Sequence, residues 1–283
     1  MQVYLNGSFM DQSEARISVN DRGFIFGDGI YEVIRCINGR PFRVMEHLNR
    51  LDKSLAGLSI ELKSENRNKL LKIGKELLEK NDLMEGEAKI YIQITRGAAW
   101  PRTHPFPRPE VEPTVYIAIN SFEPHVDLQE QGISVMTMAD IRWGRCDLKT
   151  VNLLPNILAR ERARTNGFDS AILIRDGVVT ESPNANIFGV DNGRLRTFPE
   201  CNYILSGITR EIVLEIASEL SIPVVFDPIN KKELFELDEL FFCGTTTDIQ
   251  PVVEIDDKPV GEGEPGPVVS QILEAFREKL YRH

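Results

Sequence analysis

Apolar and polar residues alternate over Gly29-Ile30-Tyr31-Glu32-Val33-Ile34-Arg35, which predicts a half-buried strand. Asn38-Gly39 predicts a hairpin turn that brings residues 40–44 back alongside it. The spacing then changes. Leu48, Leu51 and Leu55 recur at helical intervals, and Gly57 marks the end of that helix. Leu70, Leu71, Leu77 and Leu78 predict a second helix, with Ser64 as its cap. Strands are expected around 89–95 and 114–120. The pattern breaks at Pro124, so a smaller N-terminal domain is expected over 1–120 and a larger one over 121–283. The second part reads as a strand at 132–138, hairpins through Asp176-Gly177 and Asn192-Gly193, and a short apolar strand at 240–243. Helices are expected at 155–166, 210–220 and 267–281, the last on Val269, Ile272, Leu273, Phe276 and Leu280. Strands interleaved with helices place the chain in the α/β (α+β) class.

The chain has 283 residues, 42% hydrophobic and 27% charged, which is enough for two modest cores. A formal charge of −10 argues against a broad nucleic-acid footprint. Residues 1–7 carry no basic region and no long apolar run, so neither a signal peptide nor a membrane span is expected. Cys36, Cys146, Cys201 and Cys243 form no CxxC pair, and the histidines are equally dispersed. That argues for a reducing cytoplasm and against a disulfide framework or a zinc site. No HExxH and no G-x-S-x-G occurs.

The chemistry centres on Lys149, set between Leu148 and Val151 with Thr150 intervening. It reads either as a strand lysine reaching water or as a desolvated amine able to hold a carbonyl as a Schiff base. Glu181 at a strand end reads as a turn residue or as a carboxylate for a pyridinium N–H. Ser206-Gly207-Ile208-Thr209-Arg210 opens a helix, and Cys243-Gly244-Thr245-Thr246-Thr247 follows a strand; each reads as a cap or turn, or as an anion site. Arg50 is a helix arginine that could join them. A lysine, a carboxylate and a phosphate cup together match the needs of pyridoxal 5′-phosphate. The loop Arg96-Gly97-Ala98-Ala99-Trp100-Pro101-Arg102-Thr103-His104-Pro105-Phe106-Pro107 is too proline-rich for regular structure. Arg102 and His104, two apart, can point the same way and receive a carboxylate, or the loop is a proline-stiffened rim. Gly261-Glu262-Gly263-Glu264-Pro265-Gly266 matches G-x-G-x-x-G by letter, but its glutamates and late position make it a turn-rich link.

Six stretches carry a family resemblance: Asp21-Arg22-Gly23 through Gly27-Asp28-Gly29-Ile30-Tyr31-Glu32; Glu46-His47-Leu48-Asn49-Arg50-Leu51; Pro101-Arg102-Thr103-His104; Asp140-Ile141-Arg142-Trp143 with Cys146-Asp147-Leu148-Lys149; Glu181 with Asn186-Ile187-Phe188-Gly189; and Gly207-Ile208-Thr209-Arg210. They resemble the class IV (fold-type IV) pyridoxal-phosphate aminotransferases, and among these the bacterial members acting on D-amino acids. The resemblance covers nearly the whole chain. It implies a two-domain fold with a mixed, barrel-like sheet in the larger part and the cofactor in the cleft between the parts. It implies that Lys149 is the Schiff-base lysine and proton shuttle. Glu181 would partner the pyridine nitrogen, and Arg50, Ile208, Thr209 and Thr245 would cup the phosphate. Tyr31, Arg102 and His104 would trap the substrate α-carboxylate. In the family the arginine and histidine come from the neighbouring subunit, which implies a homodimer. Gly244 departs from the serine common at its position. The implied reaction is amino transfer between a D-amino acid and a 2-oxo acid, with ping-pong kinetics. A branched-chain L-amino-acid aminotransferase and an aminodeoxychorismate lyase-type enzyme share the core and remain alternatives.

Overall fold

The computed structural model describes residues 1–282, the side chains of 64–66 excepted, so the capping expected of Ser64 lies outside the described residues. The chain forms two compact units. The first is Met1–Glu123 with Leu148–Asn152, and the second is Pro124–Asp147 with the chain from Leu153 onward.

The first unit contains β1 (Gln2–Leu5), β2 (Ser8–Asp11), α1 (Arg22–Phe26), β3 (Gly29–Ile37), β4 (Arg40–Pro41), α2 (Val44–Gly57), α3 (Ser64–Lys80), β5 (Glu87–Thr95) and β6 (Thr114–Ser121). Its antiparallel sheet runs β2-β1-β6-β5-β3-β4. Alternation along β3 and β5 sends Ile30, Ile34, Ile90 and Ile92 into a core with Leu51 and Leu77 of the two long helices. The opposite face carries Tyr31, Tyr91 and Tyr116, with ring centroids 5.9 and 6.4 Å apart in succession. The return strand predicted over 40–44 is shorter than expected. Arg43, at φ 50°, turns the chain, and α2 starts at Val44.

Lys149 departs from the expected division, which put it in the 121–283 part. Residues 148–152 lie along the start of β3. Tyr31 N donates to Lys149 O at 2.9 Å, and Val151 N donates to Gly29 O at 3.1 Å. The Leu148 side chain fills the space that Gly57 leaves for lack of a Cβ.

The second unit contains α4 (Val126–Gln131), β7 (Ile133–Ala139), α5 (Leu154–Thr165), β8 (Ser170–Arg175), β9 (Val178–Val179), β10 (Asn186–Asp191), β11 (Arg194–Thr197), α6 (Ile208–Glu219), β12 (Val224–Phe226), β13 (Glu239–Gly244), β14 (Asp248–Ile255), β15 (Lys258–Pro259) and α7 (Pro267–Tyr281). Its sheet runs β12-β11-β10-β13-β14-β7-β8-β9, with β15 beside β14. It is mixed: β7 lies parallel to β8 and β14, β12 lies parallel to β11, and the other pairs are antiparallel. The chain leaving β12, at one end of the path, reaches β9 at the other. Val179 N donates to Ile229 O at 2.8 Å, and Lys231 N donates to Gly177 O at 2.9 Å. That link curls the sheet toward the barrel-like form expected of it.

Candidate active site

In the first unit, Lys149 is half-buried between buried Leu148 and buried Thr150. Its main-chain N–H donates to Ser54 Oγ of α2 at 3.1 Å. Its Nζ donates to the Tyr31 hydroxyl at 3.3 Å and lies 4.4 Å from that ring's centroid. The phenol therefore engages the ammonium that a simple strand lysine would send to water. Next to Tyr31, Glu32 points inward with Ile30 and Ile34 and is 0% exposed. It accepts both arms of the Arg50 fork, from Nε at 3.0 Å and Nη2 at 2.6 Å, and His47 Nδ1 lies 3.0 Å from Glu32 Oε1. Burial alone would raise the Glu32 carboxyl. The Arg50 charge and the His47 hydrogen bond outweigh it and hold the group well below the usual carboxylate range. Burial pushes the His47 ring down despite Glu32, and a carboxylate partner can only accept, so the contact calls for the proton on Nδ1. Sequence reading alone misses Glu32 and His47 as parts of the site. The available signal is a carboxylate at an inward position of an alternating strand, which demands a buried partner.

Arg102 and His104 lie exposed on the long loop after β5. Both approach one ring: the Arg102 guanidinium sits 4.5 Å from the Phe26 ring centroid, and the His104 ring is 5.8 Å from the same ring. Among the described residues, no hydrogen bond or ring contact joins either to Tyr31 or Lys149. Within one chain, the three expected carboxylate ligands are not brought together.

In the second unit, Glu181 follows β9 and is buried. It accepts from Arg142 Nη1, from Asn186 Nδ2 at 3.1 Å and from Leu205 N at 3.1 Å. Arg142 turns its fork away from Glu181, giving Nε to Asp140 Oδ1 at 2.9 Å and Nη2 to Asp140 Oδ2 at 2.8 Å. Arg175 reaches Asp140 at 3.1 Å and the Thr180 hydroxyl donates to it at 2.9 Å. Burial pushes the Glu181 carboxyl up, and one shared arm of Arg142 with the Leu205 amide only partly offsets it. Asp140, whose side chain is also buried, is held below its ordinary value because the Arg142 fork outweighs burial. Arg142 stands in a recognised stretch but has no role assigned from sequence; the structure makes it the bridge between the two carboxyls.

Ile208 and Thr209, both buried, begin α6, and its cap Gly207 carries no side chain to cover the helix start. A Cβ on Gly207 would strike Asn186 Oδ1. Gly244, before Thr245 in the β13–β14 turn, lies against Ala185 and Asn184, both 3.5 Å from an added Cβ. Residues 184–186 thus adjoin Glu181, the start of α6 and the Gly244–Thr245 turn. The G-x-G-x-x-G stretch behaves differently. At the start of α7, Glu239 accepts Val268 N at 3.0 Å and Val269 N at 2.8 Å, so the chain's own carboxylate fills that helix end.

Residues 29–255 match the family Amino-transferase class IV. The chain is 41% identical to the D-alanine aminotransferase of Staphylococcus haemolyticus, covering 99% of this chain and 98% of that protein. The chain belongs to the class IV aminotransferase family. A D-alanine aminotransferase of Bacillus licheniformis is 38% identical over 99% of this chain and 97% of its own. Among solved structures, the Escherichia coli branched-chain amino acid aminotransferase superposes on this class IV aminotransferase with a TM-score of 0.89 at 29% identity, over 98% of this chain and 93% of that one. A branched-chain amino acid aminotransferase from T.th., solved with pyridoxamine 5′-phosphate, gives 0.89 at 28% identity, over 100% of this chain and 95% of that one.

The residues of this aminotransferase fit such a phosphorylated pyridine. A helix start with a bare glycine cap suits phosphate, and a buried carboxylate driven toward protonation suits sharing a proton with a ring nitrogen.

Proposed function

We propose that this aminotransferase moves an amino group between a D-amino acid, such as D-alanine, and a 2-oxo acid, such as 2-oxoglutarate, giving pyruvate and D-glutamate. The carrying observation is the Arg102–His104 pair gathered on Phe26, a guanidinium and an imidazole presented together on one exposed loop. The D-alanine relatives support the same reading. Pyridoxal 5′-phosphate would supply a carbonyl that condenses with amines and a ring that accepts an electron pair. Lys149 would hold it through Nζ, and Arg50, Thr245 and the main chain of Ile208 and Thr209 would take its phosphate. Lys149, freed when the substrate amine takes its place and lying beside the Tyr31 phenol, would accept the substrate Cα proton and return it to the neighbouring carbon. Glu181 would hold a proton on the ring nitrogen, with Arg142 and Asn186 keeping its carboxylate aimed. Tyr31, Arg102 and His104 would bind the substrate α-carboxylate, the latter two from the partner in a homodimer. A cytoplasmic location fits the scattered thiols, of which burial pushes Cys36 and Cys243 up to about 12.

Chiral chromatography of the glutamate formed from D- or L-alanine tests the reading. D-glutamate from D-alanine is expected. Mainly L-glutamate, made faster from L-alanine or L-leucine, would replace it with the branched-chain reading, which the solved relatives favour. Borohydride reduction and peptide mapping should label Lys149, and Lys149→Ala should stay folded but lose turnover.

A further inference from the structure

We propose that Arg22 is a positioning residue for the carboxylate trap. It fixes the main chain of Thr103-His104-Pro105 and thereby aims Arg102 and His104. The proposal rests on reading Arg102 and His104 as carboxylate ligands. Arg22 is only 6% exposed. Its Nη1 donates to Thr103 O at 2.7 Å and Pro105 O at 3.4 Å, and its Nη2 donates to His104 O at 3.1 Å. Three successive carbonyls of a proline-rich loop, with no strand partner of their own, therefore converge on one planar donor. Its Nε is held by Asp28 at 2.8 Å, and its guanidinium lies 4.7 Å from the Phe26 centroid, on the ring that also carries Arg102 and His104.

The clamp is itself anchored. The main-chain N–H of Arg22 donates to Gly97 O at 2.9 Å, near the start of the loop. Asp21 accepts Thr95 Oγ1 at 2.9 Å and Thr114 Oγ1 at 2.6 Å, so the start of α1 is tied to both strands that flank the loop. Asp28 also binds Arg96 at 2.8 and 3.0 Å, and the Phe106 ring centroid lies 3.6 Å from that guanidinium. An exposed arginine–histidine pair loses conformational freedom when it binds a carboxylate. A loop already fixed at three carbonyls lowers that cost, so the effect belongs in KM rather than in the chemical step.

The test compares Arg22→Lys, Arg22→Met and Arg102→Ala in the cofactor-loaded protein. Lysine keeps the charge beside Asp28 but lacks the planar fork. KM for 2-oxoglutarate should rise about tenfold in Arg22→Lys, with kcat held within about twofold. A second readout needs no turnover: trypsin cleavage after Arg102 in the native protein should accelerate by about tenfold or more as the loop loosens. Arg22→Met should behave the same way, more strongly. Unchanged KM and unchanged cleavage in a folded Arg22→Lys protein overturn the proposal. So does a fall in kcat together with loss of cofactor absorbance, which would make Arg22 a general support of the fold. If Arg102→Ala leaves KM unaltered, the carboxylate reading fails on its own, and the cleavage rate still decides whether Arg22 holds the loop.

Discussion

Glu32 in the first unit and Glu181 in the second are both buried, and both meet an arginine, yet their carboxyls are driven in opposite directions. Arg50 gives Glu32 both arms of its fork, and His47 adds a donor. Arg142 gives its fork to Asp140 and spares Glu181 a single arm. Burial pushes both glutamates up. The direction is decided by how much of the guanidinium faces the carboxyl and whether a second carboxylate competes for it. Glu32 is thereby held as the anion opposite Arg50, while the Glu181 carboxyl is raised.

The comparison breaks most visibly at Glu32. Glu32→Gln leaves the Arg50 charge opposite a neutral amide and should cost about 3–5 kcal/mol of stability, read from denaturant midpoints. At Glu181 the effect should fall on chemistry. Glu181→Gln should slow single-turnover proton transfer by about 10²–10³-fold while cofactor binding weakens far less, and an unchanged rate would remove Glu181 from the mechanism. The third effect is in acid. Glu32 has a folded pKa below its unfolded value of about 4.3, so its stabilisation is complete above that value and is lost as pH falls through the depressed one. Glu32→Gln should flatten the acid limb of the stability curve by up to about 1.4 kcal/mol per pH unit. Glu181, raised in the folded state, has the opposite sign: its contribution is present at low pH and is lost as pH rises. The smallest effect is at Gly244, where an added Cβ meets only ordinary contacts at 3.5 Å. Gly244→Ser should shift stability by less than about 0.5 kcal/mol, and a gain in cofactor affinity would mark it as a phosphate contact.

Much of the fold was legible because long amphipathic segments carry their period openly: 267–281 is a helix to the residue, and all three dipeptide hairpins formed. β14 was not legible. It carries Pro251 in its middle, opposite Phe241, and a proline argues against a central strand. α1 is too short to show a period. At the candidate site, Lys149 and Glu181 stood out by residue type and neighbours, and Arg50 only through the family resemblance. Glu32, His47 and Arg142 did not, since their roles come from partners far off in sequence: Glu32 lies 18 residues from Arg50, and Arg142 lies 39 from Glu181. The grouping of Lys149 with β3 was equally hidden, because main-chain pairing over five residues leaves no side-chain pattern.

That five-residue ribbon bears on how the protein is made. A ribosome releases the chain through residue 123 well before 148–152 appear, so the starting edge of β3 waits unpaired while the opening stretch of the second unit emerges. Nor can one scission separate the two units: a protease cutting between Glu123 and Pro124 would leave the first fragment without its lysine, and the second would carry away a strip that belongs to its neighbour.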